Sequence, residues 1–295
     1  MVSSRIAAVP PSAAQSAPSD PPVRLLRCGR FNFSLARPLI MGVVNITPDS
    51  FSDGGRFFDP AAAIAHARKL TEEGADFIDL GAESSRPGAA AAVSAEEELR
   101  RLLPVLRALR DLPLSVDTVK PEVMRVAHAE GAAMINDINA LRAPGALAAV
   151  AAGDAAVCLM HMQGTPGTMQ FDPRYGDVVA EVKAFLQERI ASVRSAGITP
   201  ERLVIDPGFG FGKTLEHNLE LLRHLGEFSA LGAPVLAGWS RKSSLGMITG
   251  KPAGERLAAS IAAALIAAQN GAAILRVHDV AATRDALAVL AAVKE

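Results

Sequence analysis

The chain has 295 residues, 49% hydrophobic and 21% charged, enough to build one large α/β domain or two smaller ones around a sizeable core. A formal net charge of −1 argues against a nucleic-acid footprint, and no apolar stretch reaches spanning length, so neither nucleic acid nor a membrane is an expected partner. The two cysteines, Cys28 and Cys158, offer no disulfide framework and no metal spacing, which places the expected location in a reducing cytoplasm.

Residues 1–22 are rich in Ala, Pro and Ser and hold few large apolar side chains. Such a segment cannot bury enough surface to order itself, and its five prolines would break a targeting helix. It is expected to be a disordered tail, with residues 23–295 forming one domain. Arg24 to Leu35, around Gly29, reads as a short hairpin ahead of that domain. The apolar run Leu39–Val44 then ends on Asn45 and passes into a loop that carries Asp49 and Asp53 among Thr, Ser, Pro and Gly.

From Pro60 a rhythm of helix and strand sets in. Helical segments are predicted over Ala61–Glu73, Ala95–Leu109, Pro121–Gly131, Gly145–Ala152, Val178–Ala196, Leu215–Leu225 and Glu255–Asn270, with a last helix running to Lys294. Ser94 with Glu97 three residues on has the spacing of a capping box. Between the helices lie short strands, Phe77–Leu80, Leu114–Asp117, Met134–Asp137, Val157–Met160, Leu203–Asp206, Val235–Gly238 and Ala273–Val277. About eight such units predict a single (β/α)₈ barrel, the fold class α/β. The rival, an open doubly wound sheet, would gather its ligand at one switch point. Here nearly every strand ends on a polar residue.

Those strand ends are Asn45, Glu83 with Ser84-Ser85-Arg86, Asp117, Asn136, Met160-His161, Asp206, Ser240 to Ser243, and Arg276 with His278. In a barrel they share one mouth. Asp117, Asn136 and Asp206 can accept hydrogen bonds from a heterocycle edge bearing an amino group and a ring N–H, and Lys242 can donate to ring acceptors. Asn45, Ser85, Arg86, Arg276 and His278 suit a phosphate or diphosphate. Singly, each has a plainer role: Asp117 or Asp206 could cap the next segment, and Arg276 could pair with Asp279. Gly208 to Thr214 looks like a Walker A loop, but Pro207 occupies the position of its first glycine. It reads instead as a glycine turn letting backbone approach a flat ligand, with Phe211 beside it.

In order, MGVVNITPDSFSDGG, GAESSRPG, SVDT, IND, LMHMQG, DPGFGFGKT, GWSRKS and RVHDV resemble the motif series of the dihydropteroate synthase family, from about Met41 to Asp279. The resemblance implies a pterin-binding barrel and a transferase of folate biosynthesis that joins 4-aminobenzoate to a dihydropterin methyl diphosphate. It implies that Asp117, Asn136, Asp206 and Lys242 hold the pterin, with Ile138, Met160 and Phe211 packing near it. Arg276, His278 and Asn45 would take the diphosphate, Asn45 also bearing on Mg²⁺. Phe51, Pro87 and Ser243 would border the aminobenzoate, with Ser85 on the same loop as Arg86, where the family usually has Thr. Asp53, Arg86 and Lys242 would act in catalysis. A homodimer through late helices, and a sulfonamide target, are further implications.

Two alternatives remain at this level: a methyltransferase of the related class that uses methyltetrahydrofolate, and a non-catalytic pterin-binding paralogue. The first has no diphosphate to hold, so Arg276-Val277-His278 argues against it. Intact Asn45, Asp53, Arg86 and Lys242 argue against the second.

Overall fold

A computed structural model describes residues 25–47, 59–83 and 93–294. The tail expected to be disordered lies outside the described residues, as do Phe51, Asp53, Ser85, Arg86 and Pro87. Strands β1 (Leu25–Cys28) and β2 (Phe31–Ser34) form the expected hairpin, turning at Gly29. Strands β3 (Leu39–Asn45), β4 (Phe77–Gly81), β5 (Leu114–Asp117), β6 (Met134–Asp137), β7 (Ala156–Met160), β8 (Leu203–Asp206), β9 (Val235–Ala237) and β10 (Ala272–Val277) are all parallel. They close into a barrel, with β10 pairing β3, which rules out the open sheet.

The helices between them are α1 (Pro60–Glu72), α2 (Ala95–Ala108), α3 (Pro121–Ala129), α4 (Ala146–Ala151), α5 (Val178–Ser195), α6 (Leu215–Arg223), α7 (Ser243–Thr249), α8 (Leu257–Gln269) and α9 (Val280–Lys294). Local chemistry explains several starts. Asp59 caps Ala61 N–H and Pro60 takes the first helical position of α1; Asp177 accepts from both Val179 and Ala180 at the head of α5. The capping box expected at Ser94 is half made. Ser94 accepts from Glu97 N–H, but the Glu97 carboxylate turns to Arg100 at 2.6 Å and Arg101 at 2.7 Å instead. Two guanidiniums outcompete one backbone N–H. A complete box occurs at α6, where His217 reaches back to the Thr214 backbone. Helix α7 was not anticipated: it is short and follows directly on the polar run after β9.

Strand geometry divides the barrel interior into two levels, because residues i and i+2 share a face. Phe77, Met134, Val204 and Ile274 point inward and pack with Leu39, Met41, Leu236 and Cys158. The hairpin seals this lower level from below: Leu26 and Cys28 join the same cluster, and the Phe33 ring lies 4.2 Å from that of Phe77. Two residues further along the same strands come Asp79, Asn136, Asp206 and Arg276. A filled apolar floor therefore carries a polar layer at the strand carboxyl ends.

Two glycines separate backbone strain from contact. Gly208, at φ +72°, follows β8 so closely under the loop after β7 that a Cβ there would lie 1.9 Å from the His161 carbonyl oxygen. Gly232, at φ +77°, has nothing within 4 Å. Gly232→Ala should cost only the left-handed backbone penalty, about 1–2 kcal/mol, while Gly208→Ala should cost at least roughly 1–3 kcal/mol more from overpacking. Urea unfolding midpoints of the two variants would check this; equal losses would mean the loops are not in contact.

Candidate active site

Strand register assembles the mouth. Asn45, Gly81, Asp117 and Asn136 are successive partners across β3, β4, β5 and β6. Gly81 leaves a gap in this row: a Cβ there would be 4.0 Å from Asn45 Oδ1 and 3.9 Å from Asp117 Oδ2, so both oxygens flank the opening. On the far side, Gly238 similarly makes room beside Arg276 and Lys242 Nζ.

Arg276 crosses this space from β10. Its Nε–H donates to Asp79 Oδ2 at 2.7 Å and its Nη2 to Asp117 Oδ2 at 3.1 Å. Burial opposes the charge, but Asp79 and Asp117 outweigh burial and hold the guanidinium pKa above its ordinary value. Burial and the negative charge of Asp79 push Asp117 up to about 7, with Arg276 pulling the other way. Asp279, the partner considered for Arg276, instead pairs with Arg241, at 2.6 Å. Asp79 was not singled out in the sequence. The available signal was its charge inside the apolar run Phe77–Leu80, which a buried strand tolerates only with a partner.

Across the mouth, burial raises the pKa of Asp206, and one of its oxygens accepts Gly208 N–H at 2.7 Å. The capping role leaves the second carboxylate oxygen available. Lys242 donates to the Phe209 carbonyl and its ammonium lies 4.8 Å from the Phe211 ring centre. Burial lowers its pKa to about 8, Asp206 opposing and Arg276 assisting. Arg241 just before it has φ +59°, a strained conformation for a side chain with a Cβ. Ser260 Oγ accepts Arg241 N–H at 3.0 Å, and Arg256 Nη1 donates to the carbonyls of Arg241 and Lys242 at 3.0 and 3.2 Å. These bonds fix the turn that aims Lys242.

Lys213 behaves unlike a phosphate-loop lysine. It is buried, and its ammonium donates to the carbonyls of Gly208 at 2.9 Å and Phe211 at 3.0 Å, with His161 Nδ1 at 3.0 Å. Burial lowers its pKa to about 7. His161 is lowered to about 3 by burial and by Lys213, so its ring is neutral and Nδ1 accepts. The glycine-rich loop is thus tied inward to the loop after β7. Gly212 confirms the contact, since a Cβ would lie 2.4 Å from the Gln163 carbonyl oxygen. Gly208 and Gly212 serve this loop-to-loop packing. Phe211 packs with Ile138, Met160, Met162 and Met169 in a soft apolar cluster at the rim.

His278 is held by Ser240, whose Oγ accepts His278 N–H at 3.2 Å and lies 2.9 Å from Nδ1. Ser243, at the start of α7, lines a cavity of about 130 Å³ beside the mouth, together with Gly210, Lys213, Thr214 and Met247. Glu83 does not face the mouth: it binds Lys120 and accepts Val93 N–H at 3.2 Å, tying together residues that flank segment 84–92. No group of three His, Cys, Asp or Glu side chains among the described residues could hold a metal by itself.

A closed parallel barrel with acid, amide and cation side chains at its carboxyl-end mouth defines a small-molecule-binding enzyme of the barrel class. The profile of the pterin binding enzyme family matches residues 41–278. The dihydropteroate synthase of Escherichia coli K12 is 50% identical over 264 residues, covering 88% of this chain and 93% of that protein. Two structures of the Xanthomonas albilineans dihydropteroate synthase are also similar, each covering 92% of this chain and 98% of that one. The one with 4-aminobenzoic acid has a TM-score of 0.87 at 57% identity. The complex with 7,8-dihydropteroate has 0.84 at 55%. The chain belongs to the dihydropteroate synthase family of pterin-binding barrels.

Arg276→Met should leave Asp79 buried without its cation and cost about 3–5 kcal/mol of stability. Guanidinium unfolding at pH 7.5 would measure it; a loss under about 1 kcal/mol would mean that water reaches Asp79 in solution.

Proposed function

We infer that this chain is a dihydropteroate synthase: it condenses 4-aminobenzoate with (7,8-dihydropterin-6-yl)methyl diphosphate to give 7,8-dihydropteroate and diphosphate. The observation that carries this reading is the gathering of Asp117, Asn136, Asp206 and Lys242 beside Arg276 in one mouth. The acids and amide suit the donor-rich pterin edge, and Lys242 suits a ring acceptor. Ile138, Met160 and Phe211 offer an apolar surface for the ring.

In the reaction the bond from the methylene carbon to the diphosphate oxygen breaks. The aromatic amine forms the new C–N bond and gives up a proton. The dihydropterin is electron-rich, so positive charge at the methylene carbon can spread into the ring. The amine is neutral near pH 7 and needs no strong base. Catalysis is then chiefly positioning and electrostatic stabilisation of the departing anion by Arg276 and His278. Asp53 and Arg86, which lie outside the described residues, complete the catalytic set, with Ser85 next to Arg86 in the sequence.

The donor set suits Mg²⁺ brought in with the diphosphate. Asn45 offers a neutral hard oxygen beside the Gly81 gap, while Asp117 is engaged by Arg276. One protein oxygen with phosphate oxygens and water is a common magnesium arrangement. When bound there, the ion would neutralise charge on the leaving group.

Ser243 and its cavity support a place for the aminobenzoate, with Phe51 and Pro87 as further walls. Sulfonamides would compete there. A homodimer is supported by exposed apolar side chains on the late helices: Met247, Ile248, Leu257, Ile266, Val289 and Val293. No helix among the described residues is long and apolar enough to cross a membrane; a cytoplasmic location remains the reading from cysteine usage. The direct test mixes purified protein with both substrates and Mg²⁺ and follows diphosphate release; no release would overturn the assignment.

The pH dependence follows from two opposed groups. Asp117 loses its carboxylate charge as pH falls through about 7, and Lys242 loses its ammonium as pH rises through about 8. The rate constant kcat/KM for the pterin substrate should therefore be bell-shaped with its maximum between those values. A profile flat from pH 6 to 9 would remove both from the binding step.

Aminobenzoate should bind in order. Phe51 and Pro87 lie on the same Gly- and Pro-rich segments as Asp53 and Arg86, so the apolar walls and charged groups are placed together. Calorimetric titration of 4-aminobenzoate should show binding to protein holding a pterin, Mg²⁺ and diphosphate, and little to the protein alone. Equal affinities would mean a preformed pocket.

A further inference from the structure

Asp79 is fully buried in the polar layer, and a single oxygen of it serves two other members of that layer, Arg276 and Asn136. Asp79 Oδ2 accepts Arg276 Nε–H at 2.7 Å and lies 3.4 Å from Asn136 Nδ2. We infer that Asp79 sets which edge of Asn136 faces the ligand, and so sets the preference of the mouth for a heterocycle edge rich in N–H groups. The inference rests on the pterin-binding reading above.

An amide presents a carbonyl oxygen on one edge and two N–H donors on the other. Were Asn136 turned over, its Oδ1 would face Asp79 Oδ2, two acceptors with no hydrogen between them. Arg276 does not relieve this, because its Nε–H is directed at the same oxygen and its Nη2 at Asp117. One N–H of Asn136 therefore belongs to Asp79, which fixes the Nδ2 side of the amide toward it. Its Oδ1 takes no partner among the described residues and is left to the mouth as an acceptor beside Asp117. The same Asp79 oxygen fixes the plane of Arg276, and neither of the two guanidinium bonds uses Nη1. One buried acceptor thus makes Asn136 an acceptor and leaves Arg276 a donor toward an anion. Asp79 does this without touching the ligand, as a positioning residue.

The sterically matched variant Asp79→Asn tests it. An amide at 79 can donate as well as accept, so Asn136 is free to present either edge. Affinities would be measured for 2-amino-4-oxopteridine and for pteridine-2,4-dione, which replaces the amino donor by a carbonyl acceptor. Wild-type protein should prefer the aminopteridine roughly a hundredfold or more, as sites built to hydrogen-bond a ligand donor do. Asp79→Asn should narrow that ratio at least about tenfold, the equivalent of one such bond. Both ligands weakened alike, with the ratio kept, would reduce Asp79 to a purely structural role and overturn the inference. If the variant does not fold, neutron diffraction of wild-type protein with the aminopteridine decides. A deuteron on Asn136 Nδ2 pointing to Asp79, with Oδ1 turned to the ligand, supports the inference; Oδ1 turned to Asp79 defeats it. Wild-type protein that binds neither pteridine would instead defeat the pterin reading on which it rests.

Discussion

A guanidinium inside a barrel can exist only where carboxylates meet it, and the upper half of this molecule is arranged around that requirement. Removing a charge from water costs several kcal/mol per ion unless geometry and hydrogen bonds restore it. Arg276 reaches from β10 past β3 to Asp79 on β4 and Asp117 on β5, so its compensation comes from strands two and three positions away. On the other side, Lys242 and Lys213 act on Asp206 through their charge, without a direct bond to it. The polar layer balances its own charge before any substrate arrives. A ligand therefore meets a set of oriented groups whose reorganisation has already been completed during folding, the condition under which electrostatic catalysis is most effective.

The loops keep that layer in place by burying their own cations against carbonyl groups. Lys213 joins the loop after β8 to the one after β7, and Arg256 holds the strained turn at Arg241. Both use a side chain that could have served as an anion ligand. Their position within the backbone network decides against it: Lys213 is spent on two carbonyls and the His161 ring, and Arg256 Nε and Nη1 are spent on the carbonyls of Lys251, Arg241 and Lys242. Lys242, between the two, retains contact with an aromatic face and a single carbonyl, which leaves donors for a substrate.

Much of this was legible in the residues. The barrel followed from the alternation of elements, and the mouth followed from polar residues at strand ends, because a buried parallel strand has few other places for them. Asp117, Asn136 and Asp206 were found this way. Asp79 was not, since it lies inside its strand and its partner is 197 residues away. The pairing of Arg241 with Asp279 was equally hidden: two arginines compete for one acid, and only the handedness of the turn at Arg241 decides between them. Likewise Glu97 has the spacing of a capping residue but sits within reach of two arginines, and His217 caps α6 without being a residue type that announces it. Long-range partners and competition between equivalent partners are the information that a linear pattern lacks.

The hairpin at the base has a consequence for traffic. With Leu26, Cys28 and Phe33 packed against the lower level, the described residues leave no second exit on that side. Both substrates, the coupled product and the released anion share one doorway. Turnover is then a queue, in which whatever leaves last sets the pace for the next arrival. A molecule lodged at that doorway obstructs every participant at once, without resembling any one of them closely.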